Sequence, residues 1–363
     1  MAYNRPTKGD PDGEDNTLTT EFESAAHVSF RPSWIDRLVL WIDKLPGAGW
    51  FLYVLGVVGA AVLINAVLWI DGSVPLGSYG AIRGIFPPFV FYFLALYHYL
   101  TRVGSRSLMV FRPLMGVEDA GYARAHRELT MLPGSLGWLA IAAALASTPI
   151  YFLSGQVFGD LVPETPLPFI TAFLLAAFFQ ATFFCLLIRS LRQLRMVHRL
   201  HAESSNINLL KLRPAHALSG LTARTGIGLI LLFVLGYFYL PSLFSGNWLV
   251  ASYLTFAGPA VAAFIVPLIA MRDRIQAEKW RLLDEAADLL QMASDEMESR
   301  IQARDFEGVH GMESTIRALI SRRDMLENVS TWPWDPATLR GFASALLLPL
   351  FIWLATRLLD RFF

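Results

Sequence analysis

The sequence predicts an all-α fold, a polytopic membrane helical bundle of about seven spans with a cytoplasmic antiparallel helical hairpin. Three observations predict it. Of the 363 residues 54% are hydrophobic and only 17% charged, with a mean hydropathy of +0.44, whereas a soluble domain is about 45–50% apolar and about 25% charged. Apolar runs of spanning length recur along the chain. Lys+Arg and Asp+Glu balance at 30 each, yet the basic residues gather on one side of those runs.

The polar, acidic residues 1–30 carry Asp10, Asp12, Glu14 and Asp15 among Pro and Gly. They predict a disordered cytoplasmic tail, without the carboxylate spacing of a calcium loop or the apolar core of a cleaved signal. Residues 31–48 predict an interfacial amphipathic helix. Pro32-Ser33 opens it, and Asp36 stands in for the usual capping-box Glu. Trp34, Ile35, Leu38, Trp41, Ile42 and Leu45 share one face, and Arg37, Asp43 and Lys44 the other. The segment is too short and too charged to span, and suits a helix lying on the bilayer.

Residues 49–271 hold six apolar runs: Trp50 to Ile70, Ile85 to Leu100, Leu136 to Leu153, Pro168 to Ile188, Ile227 to Phe244 and Leu249 to Met271. Residues 336–363 hold the seventh, Phe342 to Leu359, and the C-terminus. Each run has roughly 16 to 23 residues, against roughly 20 needed to cross the hydrocarbon. The second is short and carries Pro87-Pro88. With seven spans, 27 of the 30 Lys and Arg residues fall on one side, leaving only Arg83, Arg357 and Arg361 on the other. By the positive-inside rule the N-terminus is cytoplasmic and the C-terminus extracytoplasmic, in a cell inner membrane or plasma membrane.

Residues 272–335 predict the hairpin. Leu283, Ala287, Leu290, Ser294, Met297 and Ile301 alternate steps of four and three, a coiled-coil seam. Arg304 to Gly311 interrupts it, and Met312, Ile316, Leu319 and Leu326 resume it. The first arm continues the sixth span, so a helix from Leu249 to Ile301 would be roughly 80 Å long. Trp332, Pro333 and Trp334 then form a rigid interfacial elbow, prolines barring helix and indoles suiting the headgroup layer. Asp335 or Thr338 would cap the last span. Gly258-Pro259 is the hinge candidate within the sixth.

Five of the apolar runs contain no Asp, Glu, Lys, Arg or His, which argues against proton relays, voltage sensors and ion-coupled carriers. Their neutral polar residues, among them Asn65, Ser147, Thr148, Gln180 and Tyr237, predict hydrogen bonds between helices or a lined pathway. Gly56 with Ala60, Ala140 with Ala144, and Gly258 with Ala262 have the spacing of close helix contacts. Cys185 reads as a packed hydrophobe, and a single cysteine excludes an internal disulfide. His198 and His201 have the i, i+3 spacing of a metal pair, but stand among Arg189, Arg192, Arg195 and Arg199, which suit anionic headgroups better. Hydrolase, metalloprotease and phosphate-loop motifs are absent, making an enzyme the least supported class. No cofactor, metal or nucleic-acid partner is read from the sequence.

The tail from Thr331-Trp-Pro-Trp334 through Leu346 to Trp353 resembles that of unassigned bacterial seven-span membrane proteins, as does the stretch from Arg199 through Asn206 to Gly226. In topology the chain resembles insect-chemoreceptor-like seven-span channels, which implies a homo-oligomer with the last span near its axis. About 100° per residue puts Ser344, Leu348, Phe351 and Ala355 on one stripe, a candidate pore and gate. Two functions follow as expectations: a homo-oligomeric channel-like protein, or a membrane-anchored signalling or scaffolding protein, its spans held in the lipid bilayer, whose hairpin binds a cytoplasmic partner.

Overall fold

Ser33 and Asp36 close a capping box at the start of α1 (Trp34–Lys44), each satisfying a backbone N–H left free in the helix's first turn. The structure is a computed structural model that describes residues 31–45, 49–78, 86–154, 165–204, 209, 212–239 and 248–362. The tail expected over residues 1–30, and the loop residues Arg83, Asp160 and Glu164, lie outside them. Among the described residues every regular element is helical, apart from an isolated bridge between Pro32 and Pro133. After α1 come α2 (Gly49–Ile70), α3 (Phe86–Phe111), α4 (Asp119–Thr130), α5 (Gly134–Ser154) and α6 (Pro166–Glu203). The short α7 (Arg213–His216) leads to α8 (Ser219–Tyr239), α9 (Trp248–Ile265), α10 (Ile269–Gln302), α11 (Phe306–Glu327) and α12 (Pro336–Phe362).

Among the described residues, five stretches are long and apolar enough to cross a membrane: Gly49–Ile70, Pro166–Glu203, Arg213–Phe238, Tyr253–Gln302 and Pro336–Leu359. The other two apolar runs are also helical, but differ in kind. The apolar part of α5 is shorter, Gly134–Ile150, and α3 mixes aromatics with Pro87, Pro88, His98, Arg102 and Arg106. The reason is position: Phe93, Tyr97, Leu100, Leu108 and Phe111 of α3 are fully buried. A helix enclosed by protein can satisfy polar groups that one facing lipid cannot.

The main core gathers α1, α3, α4 and α6 around those α3 side chains. A second, smaller core joins α8, α9 and α12 through Ala223, Ile230, Ala260, Phe264 and Phe342. The helix expected from Leu249 to Ile301 is interrupted once, by a 3₁₀ turn over Val266–Leu268. Pro267 lacks the N–H an unbroken α-helix would need there.

α1 packs against α2, α3 and α5 and buries Ile35, Asp36 and Val39, while Trp41 stays exposed. One expectation needs correction, the register of the hairpin. α10 and α11 pack together across a turn in which Arg304 takes φ 61, but Ala287, Ser294 and Ile301 are exposed. The shielded positions are Leu283, Ala286, Leu290, Ala293 and Met297, facing Met312, Ile316, Leu319 and the buried Leu326. Lys279 ties α10 to the end of α11 by donating from Nζ to the carbonyls of Glu327 at 2.6 Å and Val329 at 3.0 Å.

Candidate functional site

A buried polar layer crosses the bundle where α1, α3 and α6 meet. Asp36 accepts from the Tyr97 hydroxyl at 2.6 Å, the Ser33 hydroxyl at 2.7 Å, and the Leu132 and Ser33 amides at 3.0 and 3.2 Å. Arg189, which directly follows the apolar run Pro168 to Ile188, lies inside the unbroken α6 and is 3% exposed. Its Nη1 donates to the Tyr97 carbonyl at 2.6 Å, and its guanidinium sits 4.1 Å from the centre of the Tyr97 ring. Tyr97 therefore separates a buried carboxylate that accepts four hydrogen bonds from a buried guanidinium that, among the described residues, makes one hydrogen bond and a ring contact, its Nε and Nη2 having no partner.

Beside it, His98 joins α1, α2 and α3. Its Nδ1 is 2.8 Å from the Tyr53 hydroxyl and its Nε2 is 3.0 Å from Asp43, which also pairs with Arg102. The imidazole is thereby fixed between a phenol and a carboxylate. Gln180 performs a neutral version of the same task, donating to Thr148 at 3.1 Å and accepting from Ser147, so that α6 is tied to α5. Tyr237 lies 3.1 Å from Thr356, and Tyr253 donates to the Leu346 carbonyl at 2.7 Å, tying α8 and α9 to α12. These polar groups serve contacts between helices, whereas Asn65 donates to Ala61 of its own helix. At the opposite end of α2, hydrogen bonds from Ser73 and Thr165 hold the Asp71 carboxyl below the usual carboxylate range.

The histidine pair does not converge. His201 is fully buried, its Nδ1 3.1 Å from the Pro267 carbonyl and its ring edge-on to Phe111, while His198 is exposed. His198 and Arg195 stand at the polar end of a crevice of about 530 Å³ between α3, α6, α8 and α9. Pro259 and Ala262 line that crevice. Nothing lies within 4 Å of where a Gly258 side chain would begin, so the Gly258 and Ala262 pair does not make the close contact its spacing suggests. Ala140 and Ala144 are buried as that spacing implies.

The elbow is an aromatic column. Trp332 stacks on Trp334 at 4.3 Å, Trp334 on Phe264 at 5.4 Å, and Phe264 on Phe342 at 4.4 Å. Arg272 caps the column 4.7 Å from Trp332. It connects the root of α10, the end of α9 and the start of α12. Asp335 caps α12 by accepting from the Thr338 amide at 2.7 Å, and that bond holds its carboxyl below the usual range. Phe342 and Pro349 are buried, whereas Ser344, Leu348, Phe351 and Ala355 are all exposed among the described residues.

Sequence reasoning missed the Asp36, Tyr97 and Arg189 layer, the crevice and the column. The capping box marked Asp36, but only as a local feature, and Arg189 sat among cations that do face outwards. The indoles of the elbow were visible, their partners Phe264 and Phe342 not. No protein-family model, curated protein or solved structure matches the chain.

Proposed function

We propose that the chain is a seven-span protein of a cell inner or plasma membrane, with a cytoplasmic N-terminus and an extracytoplasmic C-terminus, that assembles as a channel-like homo-oligomer. α3 and α5 then complete the spans, and the α10–α11 pair is cytoplasmic. The observation that carries the reading is the one-sided seating of α12. Its inner face packs on α8 and the column, while Ser344, Leu348, Phe351 and Ala355 lie on its exposed side together with Leu347, Leu350 and Leu354. At a symmetry axis that stripe is a small polar mouth followed by rings of Leu and Phe, a constriction that closes by dewetting without a charged gate. The column from Arg272 to Phe342 is the mechanical link, since a tilt of the hairpin's root moves the start of α12 with it.

Two measurements test this. Purified protein should be oligomeric in detergent, a monomer being incompatible with a shared-axis pore. Leu348→Ser should wet the constriction and give a leak current in planar bilayers. Electrical silence of both wild type and a folded, assembled Leu348→Ser variant across a range of voltages would retire the channel reading.

A second reading has its own support. The α10–α11 pair leaves Trp280, Met292, Ile301, Ile320 and Met325 exposed, more apolar surface than a helical pair serving only as an assembly strut requires. A signalling or scaffolding protein would use that surface for a cytoplasmic partner. Trp280→Ser with Met292→Ser would abolish such binding and leave oligomeric state unchanged.

A further inference from the structure

The crevice between α3, α6, α8 and α9 has two unlike parts. Its walls are apolar: Leu96 and Leu100 from α3, Phe183 and Leu187 from α6, Leu229 from α8 and Ala262 from α9. Its volume, about 530 Å³, falls in the range of small-ligand sites, roughly 300–1,000 Å³. Its rim carries the guanidinium of Arg195 and the imidazole of His198. Arg195 and His198 lie three apart on α6 and therefore on one face of it. Both are exposed, and among the described residues neither is paired with a carboxylate. Arg199 next to them is different, held by Glu128 at 2.9 Å and Glu203 at 3.8 Å. The rim is thus a place where positive charge has been left free at the mouth of an apolar cleft.

We infer that the crevice binds one anionic phospholipid, its phosphate on Arg195 and His198 and an acyl chain between α3 and α9. The inference rests on the membrane placement proposed above. A free phosphate would leave the apolar walls without a partner, and a zwitterionic headgroup would bring a second cation against Arg195. An anionic amphiphile satisfies both parts at once, as in basic pockets between spans at the cytoplasmic face. The site also reaches the joint between α9 and α10, because Pro259 and Pro267 line it, and each removes a backbone donor from the helical ladder. Occupancy therefore bears on the segment that carries the column and the hairpin.

The test uses the full chain purified in detergent, with dioleoyl phosphatidylglycerol as probe and dioleoyl phosphatidylcholine as control, read by native mass spectrometry and thermal shift. Wild type should retain phosphatidylglycerol in preference to phosphatidylcholine. Arg195→Gln with His198→Gln should weaken retention roughly tenfold, Arg199→Gln should not, and Ala262→Phe should exclude the lipid by filling the cleft. The Ala262→Phe arm decides if the double variant fails to fold. Equal retention of the two lipids, or wild-type retention by the folded double variant, overturns the site. Disulfide dimers of a Leu191→Cys variant that retains no phospholipid would assign the crevice to a second copy instead, Cys185 being buried. Release of the chain from membranes by alkaline carbonate would break the membrane placement itself, a failure separate from that of the headgroup contacts.

Discussion

The stretches Arg213–Phe238 and Pro336–Leu359 are neighbours with nearly the same mean hydropathy, 1.8 and 1.9, yet 67% of the most apolar window is buried in the first and 11% in the second. The difference teaches that in such a chain apolarity names the solvent and not the depth. Lipid and protein interior are equally apolar, so burial follows from how closely backbones can approach. α8 presents Gly226, where a Cβ would meet the Ala260 carbonyl oxygen and the Phe342 ring at 2.7 Å each. It also presents Gly228, whose carbonyl accepts from Tyr92 at 2.5 Å. α12 presents Gly341, with nothing within 4 Å of its missing side chain. The same contrast separates two aspartates that begin helices, Asp36 inside the bundle and Asp335 near its rim.

The largest effect should come from the buried aspartate. Asp36→Ala leaves the Tyr97 hydroxyl and the Leu132 amide without their acceptor, beside the buried Arg189, and should cost about 3–5 kcal/mol. Thermal unfolding in detergent measures it, and a change no larger than that of a surface substitution would erase the distinction between interior and rim.

Next comes one substitution in two helices. Gly226→Ala must displace backbone and should destabilise by about 1–3 kcal/mol. Gly341→Ala, in open space within a helix, should stabilise by up to about 1 kcal/mol. Opposite signs for the same chemistry would be the sharpest form of the comparison, and equal signs would break it.

Asp335→Ala removes the cap of α12 and should cost roughly 1 kcal/mol. The folded-state shift is downward, so the cap's contribution is complete above the unfolded carboxyl range near pH 4. It is lost as pH falls through the folded value. The wild type should therefore lose this increment only on acidification below about pH 4, and the Asp335→Ala variant should lack that step. Smallest of all, Leu348→Ala on the exposed stripe should change the monomer's stability by no more than about 0.5 kcal/mol. A larger loss would mean that the stripe is packed against another copy.

The apolar parts of α2, α5, α6, α8, α9 and α12 were legible because hydropathy reads an apolar run directly, but helix ends were not, since α6 continues through Arg189 to Glu203. The Arg272 to Asn328 segment was legible as two helices from its 3.5-residue period, but its register was not. Ala286 and Ala287 serve that period equally well, and so do Ala293 and Ser294. In the structure Ala286 and Ala293 are the shielded members of those pairs, and Ala287 and Ser294 are exposed. The candidate stripe on α12 was legible as a set of residues sharing one face. That this face, and not the one bearing Phe342, stays uncovered was not, because both faces are apolar.

By itself the sequence determined the helical class, the apolar stretches long enough to cross a membrane and the elements that the prolines and glycines punctuate. These follow from local rules: hydrocarbon excludes unpaired backbone groups, so apolar runs must be helical, and prolines stop or kink them. Only the tertiary structure decided that Asp36 meets the amide of Leu132, 96 residues away, that Arg189 turns inward while Arg195 stays free, and that Phe264 bridges the elbow to Phe342. The physical reason is that each of these depends on which helices approach closely. Between lipid and a protein core the hydrophobic effect gives no preference, leaving that choice to small residues and buried hydrogen bonds whose partners lie far apart in the chain.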